Sequence, residues 1–323
     1  MVNPKRSGCR LLPPLDGPTE PFGLAPAGGT DAPPPLGELK NIAIMTNRPT
    51  PPAPAPAPAE LLETALEAAR RAAEIIVAAR RRGDFGVSMK TGEHNLVTTA
   101  DVAAEEAICT IIRRRFPDHR FLAEEGAQTV SPADLSGPLW VIDPIDGTTN
   151  FIHGHRQVAV SIAFALGGTV EVGVVHAPFL DDTYAAVRTR GATLNGRALR
   201  ASANTELKRA LIATGFPYTR EALPEFMCQL NAVLTHCRDI RRLGAAALDI
   251  CMVAAGNLDG YYETVNPWDM AAACLIAREA GALTGHIHPR PSSGPLPPDL
   301  DAHELVVGAP GVFEALRAIL ARS

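Results

Sequence analysis

The sequence predicts a mixed α+β fold in which sheets are layered with helices. Three observations point there. Helix-patterned and strand-patterned segments are mixed along the 323 residues, without the strict alternation of a doubly wound parallel sheet. Two neighbouring apolar runs, Gln157–Leu166 and Thr169–His176, meet at Gly167-Gly168, which is a hairpin signal. Long helical windows such as Glu60–Arg82 are free of internal Gly and Pro and stop at a glycine, Gly83.

Residues 1–59 are crowded with Pro, Gly and Ala, and Pro51-Pro-Ala-Pro-Ala-Pro-Ala-Pro58 is a polyproline-type spacer. The expectation is a disordered tail at 1–59 and one folded domain at 60–323. After the first helix comes a second, Asp101–Phe116, with Pro117 beyond its end. Leu139–Ile142 is a short buried strand, followed by the two hairpin strands. Thr183–Val187 adds another, ahead of the turn residues Asn195-Gly196. Leu211–Thr214, Ile240–Leu243 and Leu258–Tyr262 read as strands. Helices are expected at Leu223–His236, at Ala245–Ala255 before Gly256, and at Val312–Ala321. Pro267–Ala280 is a helix with Pro in its first turn and Gly281 just past its end. His286–Asp301 reads as a Pro/Gly/Ser loop.

A formal charge of −5 and the lack of a long basic run argue against nucleic acid as a partner. The triplets Arg80-Arg-Arg82 and Arg113-Arg-Arg115 fall at helix ends, where the dipole favours cations. No apolar stretch is long enough to span a membrane. The six cysteines form no Cys-x-x-Cys pair, and the usage fits a reducing cytoplasm.

The chemistry concentrates in Trp140-Val-Ile-Asp-Pro-Ile-Asp-Gly-Thr-Thr-Asn-Phe151. An apolar strand ends in two carboxylates, Asp143 and Asp146. Pro144 should break the strand, so the segment turns and points both into one pocket. Gly147-Thr148-Thr149 then opens a helical turn whose unpaired N–H groups face an anion. Glu124-Glu125, Asp101 and Asp269 are the other acidic candidates. All are oxygen donors, which suits Mg²⁺ or Mn²⁺ rather than Zn²⁺. Four carboxylates in one pocket would repel each other and a phosphate alike, and more than one divalent cation removes that conflict. His153-Gly-His155 and His286-Ile-His288 read as surface histidines, with no Cys or third His near them.

Glu124-Glu125, Asp143-Pro-Ile-Asp-Gly-Thr-Thr-Asn-Phe151, Trp268-Asp269-Met-Ala-Ala and Glu279-Ala-Gly281 resemble the inositol monophosphatase family. The resemblance runs from about Glu60 to the C-terminus. It implies a layered αβαβα sandwich, usually dimeric, of the inositol monophosphatase and fructose-1,6-bisphosphatase type. It also implies a Mg²⁺-dependent, commonly lithium-inhibited phosphatase with two or three ions per site. By that resemblance Glu124, Asp143, Asp146, Asp269 and the Ile145 carbonyl are metal ligands. Glu124 and Thr148 orient the nucleophilic water, and Asp101 holds Thr148. The Gly147 and Thr148 amides bind phosphate, and Lys90 lies near the metal site. Asp146, Ala246, Glu263 and Asp269 contact the sugar alcohol. The chain departs from the family at Asn95, where Asp is common. It departs again at Gly244-Ala245-Ala246-Ala247, where a small hydroxyl is missing, and at Ala271-Ala272-Ala273, where Gly usually stands third.

The implied reaction is hydrolysis of myo-inositol monophosphate by metal-activated water, carried out by a cytoplasmic homodimer. Fructose 1,6-bisphosphate, histidinol phosphate and 3′-phosphoadenosine nucleotides are rival substrates. Tyr261-Tyr262-Glu263 and Gly215-Phe-Pro217 favour the inositol branch. A haloacid-dehalogenase mechanism is set aside, because two residues separate Asp143 from Asp146. A regulatory binding protein on the same fold is the rival from outside enzymology.

Overall fold

Alanine recurs along one face of the first helix, so that face can lie close against a neighbour. In the computed structural model α1 (Pro58–Arg82) buries Ala65, Ala68, Ala69, Ala72, Ala73 and Ala79 and ends at Gly83 in the left-handed region. The structure describes residues 56–89, 96–126, 134–217, 219–289 and 296–323. The expected tail, up to residue 55, lies outside them, as do Lys90 and Asn95.

A short ribbon of β1 (Val87–Met89) and β2 (Leu96–Thr98) leads into α2 (Thr99–Arg115). Then follow β3 (Arg120–Ala123), β4 (Pro138–Asp146), α3 (Thr148–His153), β5 (Ala159–Leu166), β6 (Thr169–Ala177), β7 (Asp182–Val187), β8 (Ala192–Leu194) and β9 (Arg197–Ala198). These seven strands form one sheet in chain order. It is antiparallel except for the parallel pair β3 and β4. The second half contains β10 (Leu211–Thr214), α4 (Leu223–His236), β11 (Asp239–Arg241), α5 (Ala246–Ala254), β12 (Gly260–Glu263), α6 (Pro267–Glu279), β13 (Leu283–His286), β14 (Leu305–Gly308) and α7 (Phe313–Leu320). Its five strands are ordered β11-β10-β12-β14-β13.

Side-chain alternation along the strands sorts these elements into five layers. Trp140 and Ile142 of β4, with Val160, Ile162 and Phe164 of β5, pack against α1 and α2. Leu139, Val141, Ala159, Ala163 and Ala165 face the other way, toward α5 and α6. Those helices also meet Ala213, Tyr261 and Val307 of the smaller sheet. Ile212, Tyr262 and Val306 on its far face pack against Val233 of α4 and Phe313, Leu316 and Leu320 of α7. The order is helix, sheet, helix, sheet, helix, as the resemblance implies. No helix among the described residues is long and apolar enough to cross a membrane.

Two expectations are corrected. Pro144 does not end the strand; β4 continues to Asp146 through a register shift between Asp143 and Asp146. Proline lacks a ladder donor, and a bulge is a place in a strand where none is needed. The segment at 286–301 is also not wholly loop, because β13 reaches His286. Strands β13 and β14 have no counterpart in the sequence reading.

Packing between the large sheet and α6 is close enough to depend on one glycine. A Cβ on Gly173 of β6 would stand 2.7 Å from the Ala272 carbonyl oxygen and 3.0 Å from its Cα. Backbone cannot swing aside as a long side chain can. Gly173→Ala should therefore push α6 from the sheet and cost about 1–3 kcal/mol in urea denaturation. Gly137→Ala, where a Cβ would meet nothing within 4 Å, is the control. Equal stability of the two variants would contradict this packing.

Candidate active site

The bulge in β4 is closed by its own first carboxylate. Asp143 Oδ1 accepts from the Ile145 amide at 2.9 Å, an aspartate turn across the proline. Asp146 leaves the strand facing α5, and its two oxygens accept from the amides of Ala246 (3.1 Å) and Ala247 (2.7 Å). Ala245 occupies the N-cap position of α5 and supplies no side-chain cap. With no hydroxyl in Gly244-Ala245-Ala246-Ala247, the leading amides of α5 are met by a carboxylate 100 residues away.

Gly147 follows at φ +90, and a Cβ there would meet the Gln157 carbonyl at 2.9 Å and the Gly244 carbonyl at 3.0 Å. Only glycine fits both the conformation and the space. It opens α3, whose first turn has no side-chain cap. Asn150 on α3 donates to the carbonyls of Gln157 (2.8 Å) and Leu243 (2.7 Å), tying this turn to the loop before α5.

Two more carboxylates sit in capping boxes. Asp101 Oδ2 accepts from the amide (2.8 Å) and hydroxyl (2.5 Å) of Thr98 at the start of α2. Asp269 Oδ2 accepts from the Asn266 amide at 2.8 Å at the start of α6. Both arrangements satisfy orphan helix donors. Asp101 Oδ1 stands 3.2 Å from Thr148 Oγ1, and the Ile145 carbonyl stands 3.1 Å from it. One hydroxyl proton serves one of these acceptors at a time.

Glu124, Asp143, Asp146 and Asp269 line one cavity of about 470 Å³ with Ile145, Gly147, Thr148, Ala246 and Glu263. Lys90 lies outside the described residues. Asp101 does not line the cavity itself but touches Thr148, which does. The Ala246 amide is engaged by Asp146, so that residue offers the cavity its methyl group. His153 and His155 are exposed and His286 bonds the His303 carbonyl, away from this cavity.

The carboxylates are strained electrostatically. Burial, then Glu124, Asp146 and Asp269, push Asp143 well above the ordinary carboxylate range. Burial and Asp269 do the same to Asp146, against the two amides that pull it down. Glu263 accepts from Tyr261 Oη at 2.5 Å, yet burial raises it to about 7. This unmet negative charge on oxygen donors fits hard divalent cations. Among the described residues no three ligand side chains close around a single centre. The carboxylates stand around the cavity, which suits Mg²⁺ held by one or two carboxylates each and completed by water and phosphate.

Two charged lining residues, Arg242 and Asp249, escaped the sequence reading, as did the bridging role of Asn150 behind the cavity. Asn150 lies inside the quoted motif. Asp249 is the lone charge in the apolar helix Ala246–Ala254, a signal of its own. Arg242 stacks over the Phe216 ring at 4.9 Å and has no local signature.

A pH dependence follows for the metal-free protein. Glu263 has an ordinary value of 4.5 and a folded value of about 7, so the folded state holds its proton more tightly. Its contribution to stability is full below about pH 4.5 and is lost as pH rises through about 7. Wild type should lose stability relative to Glu263→Gln across that window, measured by urea denaturation without divalent cations. A constant difference between the two would contradict the buried carboxyl.

Residues 57–323 match the model of the inositol monophosphatase family. The chain is 43% identical over 227 residues to "Nus factor SuhB" of Pasteurella multocida, covering 69% of this chain and 84% of that one. It is 37% identical over 231 residues to "Inositol monophosphatase 1" of Solanum lycopersicum, covering 69% and 83%. The crystal structure of the extragenic suppressor protein suhB from Bartonella henselae superposes with a TM-score of 0.74 at 31% identity, covering 82% of this chain and 99% of that one. The fold, the motif-bearing cavity and these likenesses agree: the chain belongs to the inositol monophosphatase family.

Proposed function

We propose that this chain is a Mg²⁺-dependent phosphomonoesterase that hydrolyses a myo-inositol monophosphate to inositol and phosphate. The observation that carries the reading is the single cavity in which Glu124, Asp143, Asp146 and Asp269 face the uncapped first turn of α3. Those carboxylates and the Ile145 carbonyl would hold the metal. When bound, Mg²⁺ supplies charge neutralisation for the phosphate and acidifies water. The residues of the chain provide the positioning that phosphoryl transfer mostly requires.

The Gly147 and Thr148 amides take the phosphate oxygens at the start of α3. Thr148 Oγ1, held by Asp101, and Glu124 orient and polarise the attacking water; as its oxygen bonds phosphorus the ester P–O bond breaks, and a water of the site protonates the departing alkoxide. Glu263 faces the leaving alcohol across the cavity and is itself held by Tyr261. Lithium inhibition, a homodimer and a cytoplasmic setting come with the family and belong to the same proposal.

A second reading, a regulatory role beside catalysis, is favoured by the name Nus factor SuhB carried by the Pasteurella multocida relative. Under that name, the expectation that nucleic acid is not a partner finds no support.

Phosphate release from myo-inositol 1-phosphate, with and without Mg²⁺, tests the proposal. Fructose 1,6-bisphosphate, histidinol phosphate and 3′-phosphoadenosine 5′-phosphate are the comparators. The inositol ester should lead, and Asp146→Asn should lower kcat/KM by about 10²-fold or more, in line with losing a charged group at the reacting centre. Unchanged turnover by folded Asp146→Asn would sink the assignment, and a different leading ester would move the substrate.

A further inference from the structure

Asp249 has no task in the reading above. It lies in the first turn of α5, is 2% exposed, and lines the catalytic cavity near Arg242 and Glu263. Its Oδ1 is buried without a hydrogen-bond partner. Buried acceptors are almost always paired, and an orphan carries a cost that needs an explanation.

A structural role is a weak explanation. An acidic residue in a first turn ordinarily complements the helix dipole or takes free amides. Here the leading amides of α5 are already taken by Asp146. Among the described residues no cationic side chain is hydrogen-bonded to Asp249; Arg242 attracts it from a distance while lying over the Phe216 ring. Burial, then Asp146 and Glu263, disfavour its charged form, with Arg242 opposing them. The side chain therefore lines the cavity that Ala246 and Glu263 also line, and one of its carboxyl oxygens is left unpaired.

We propose that Asp249 is a specificity-determining residue that accepts a hydrogen bond from a hydroxyl of the leaving alcohol. The inference rests on the phosphatase reading and deepens it: the alcohol must carry a hydroxyl donor beyond the esterified oxygen. A site with a buried acceptor discriminates strongly against an analogue that lacks the matching donor, because the acceptor is then left unpaired.

The test compares myo-inositol 1-phosphate with p-nitrophenyl phosphate, whose leaving group has no hydroxyl beyond the ester oxygen. Both are assayed with Mg²⁺ on wild type, Asp249→Asn and Asp249→Ala. The Ala variant should lose about 10- to 100-fold in kcat/KM on the inositol ester, the scale of a charged hydrogen bond. That loss should exceed its loss on the aryl ester by at least tenfold, with most of it in KM. The Asn variant, isosteric and still an acceptor, should fall between. In metal-free buffer its unfolding temperature should not drop below that of wild type, since burial and acidic neighbours disfavour the charge that Asn removes.

Equal losses on the two esters, or no loss on either, overturn the proposal. So does a lower unfolding temperature for Asp249→Asn, which would make the residue a structural support of α5. Wild type that hydrolyses neither ester overturns the phosphatase reading itself and this inference with it.

Discussion

Carboxylates gathered around one cavity repel each other, and the fold holds two of them there on helix N-termini, with a third behind Thr148. Asp101 caps α2, Asp269 caps α6, and Asp146 takes the leading amides of α5. Each helix offers unpaired donors and the positive end of its dipole. The negative charge is thus placed and partly compensated by backbone amides at helix starts. The compensation is incomplete: Asp143 and Asp146 remain well above the ordinary carboxylate range because burial and their neighbours outweigh the amides. The remainder is what a divalent cation would neutralise.

The same contacts join parts of the chain that are remote in sequence. Asp146 ends the strand of the large sheet and begins the helix layer beneath the small one. Asn150 bonds the Leu243 carbonyl and Gly147 is pressed against Gly244. Asp269 is placed by α6, which is set on the sheet by the contact between Ala272 and Gly173. The residue that departs from the common pattern beside Ala272, Ala273, lies in the fully buried part of α6. Site geometry is therefore a property of layer packing, with only the turn at 143–150 determined locally.

That division explains what could be read in the sequence. Asp143, Asp146, Gly147 and Thr148 are legible because ligand, turn and helix start lie within one short segment, each with its own local chemistry. The helices at Leu223–His236 and Pro267–Glu279 carry first-turn prolines, and the second is followed by Gly281. Pro144 misleads because a local rule, that proline ends a strand, is overridden by a bulge that tertiary pairing creates. Strands β13 and β14 were missed because four-residue runs beside a Pro-rich loop give periodicity too little length. Asp249 and Arg242 acquire meaning only once α5 and the loop before it are folded against the end of β4. The acidic residue then becomes a buried, unpartnered acceptor, which composition could not show.

Cation binding by the folded, metal-free chain is the most direct measurement of the central idea that unmet carboxylate charge is what the site offers a substrate. A calorimetric titration with Mg²⁺ near pH 7, repeated in two buffers of different ionisation heat, reads affinity and proton release together. Saturable binding accompanied by net proton release is expected, because carboxyls that keep protons in the metal-free state must give them up to ligate. A folded protein that takes up no Mg²⁺, or binds it without releasing protons, would contradict it.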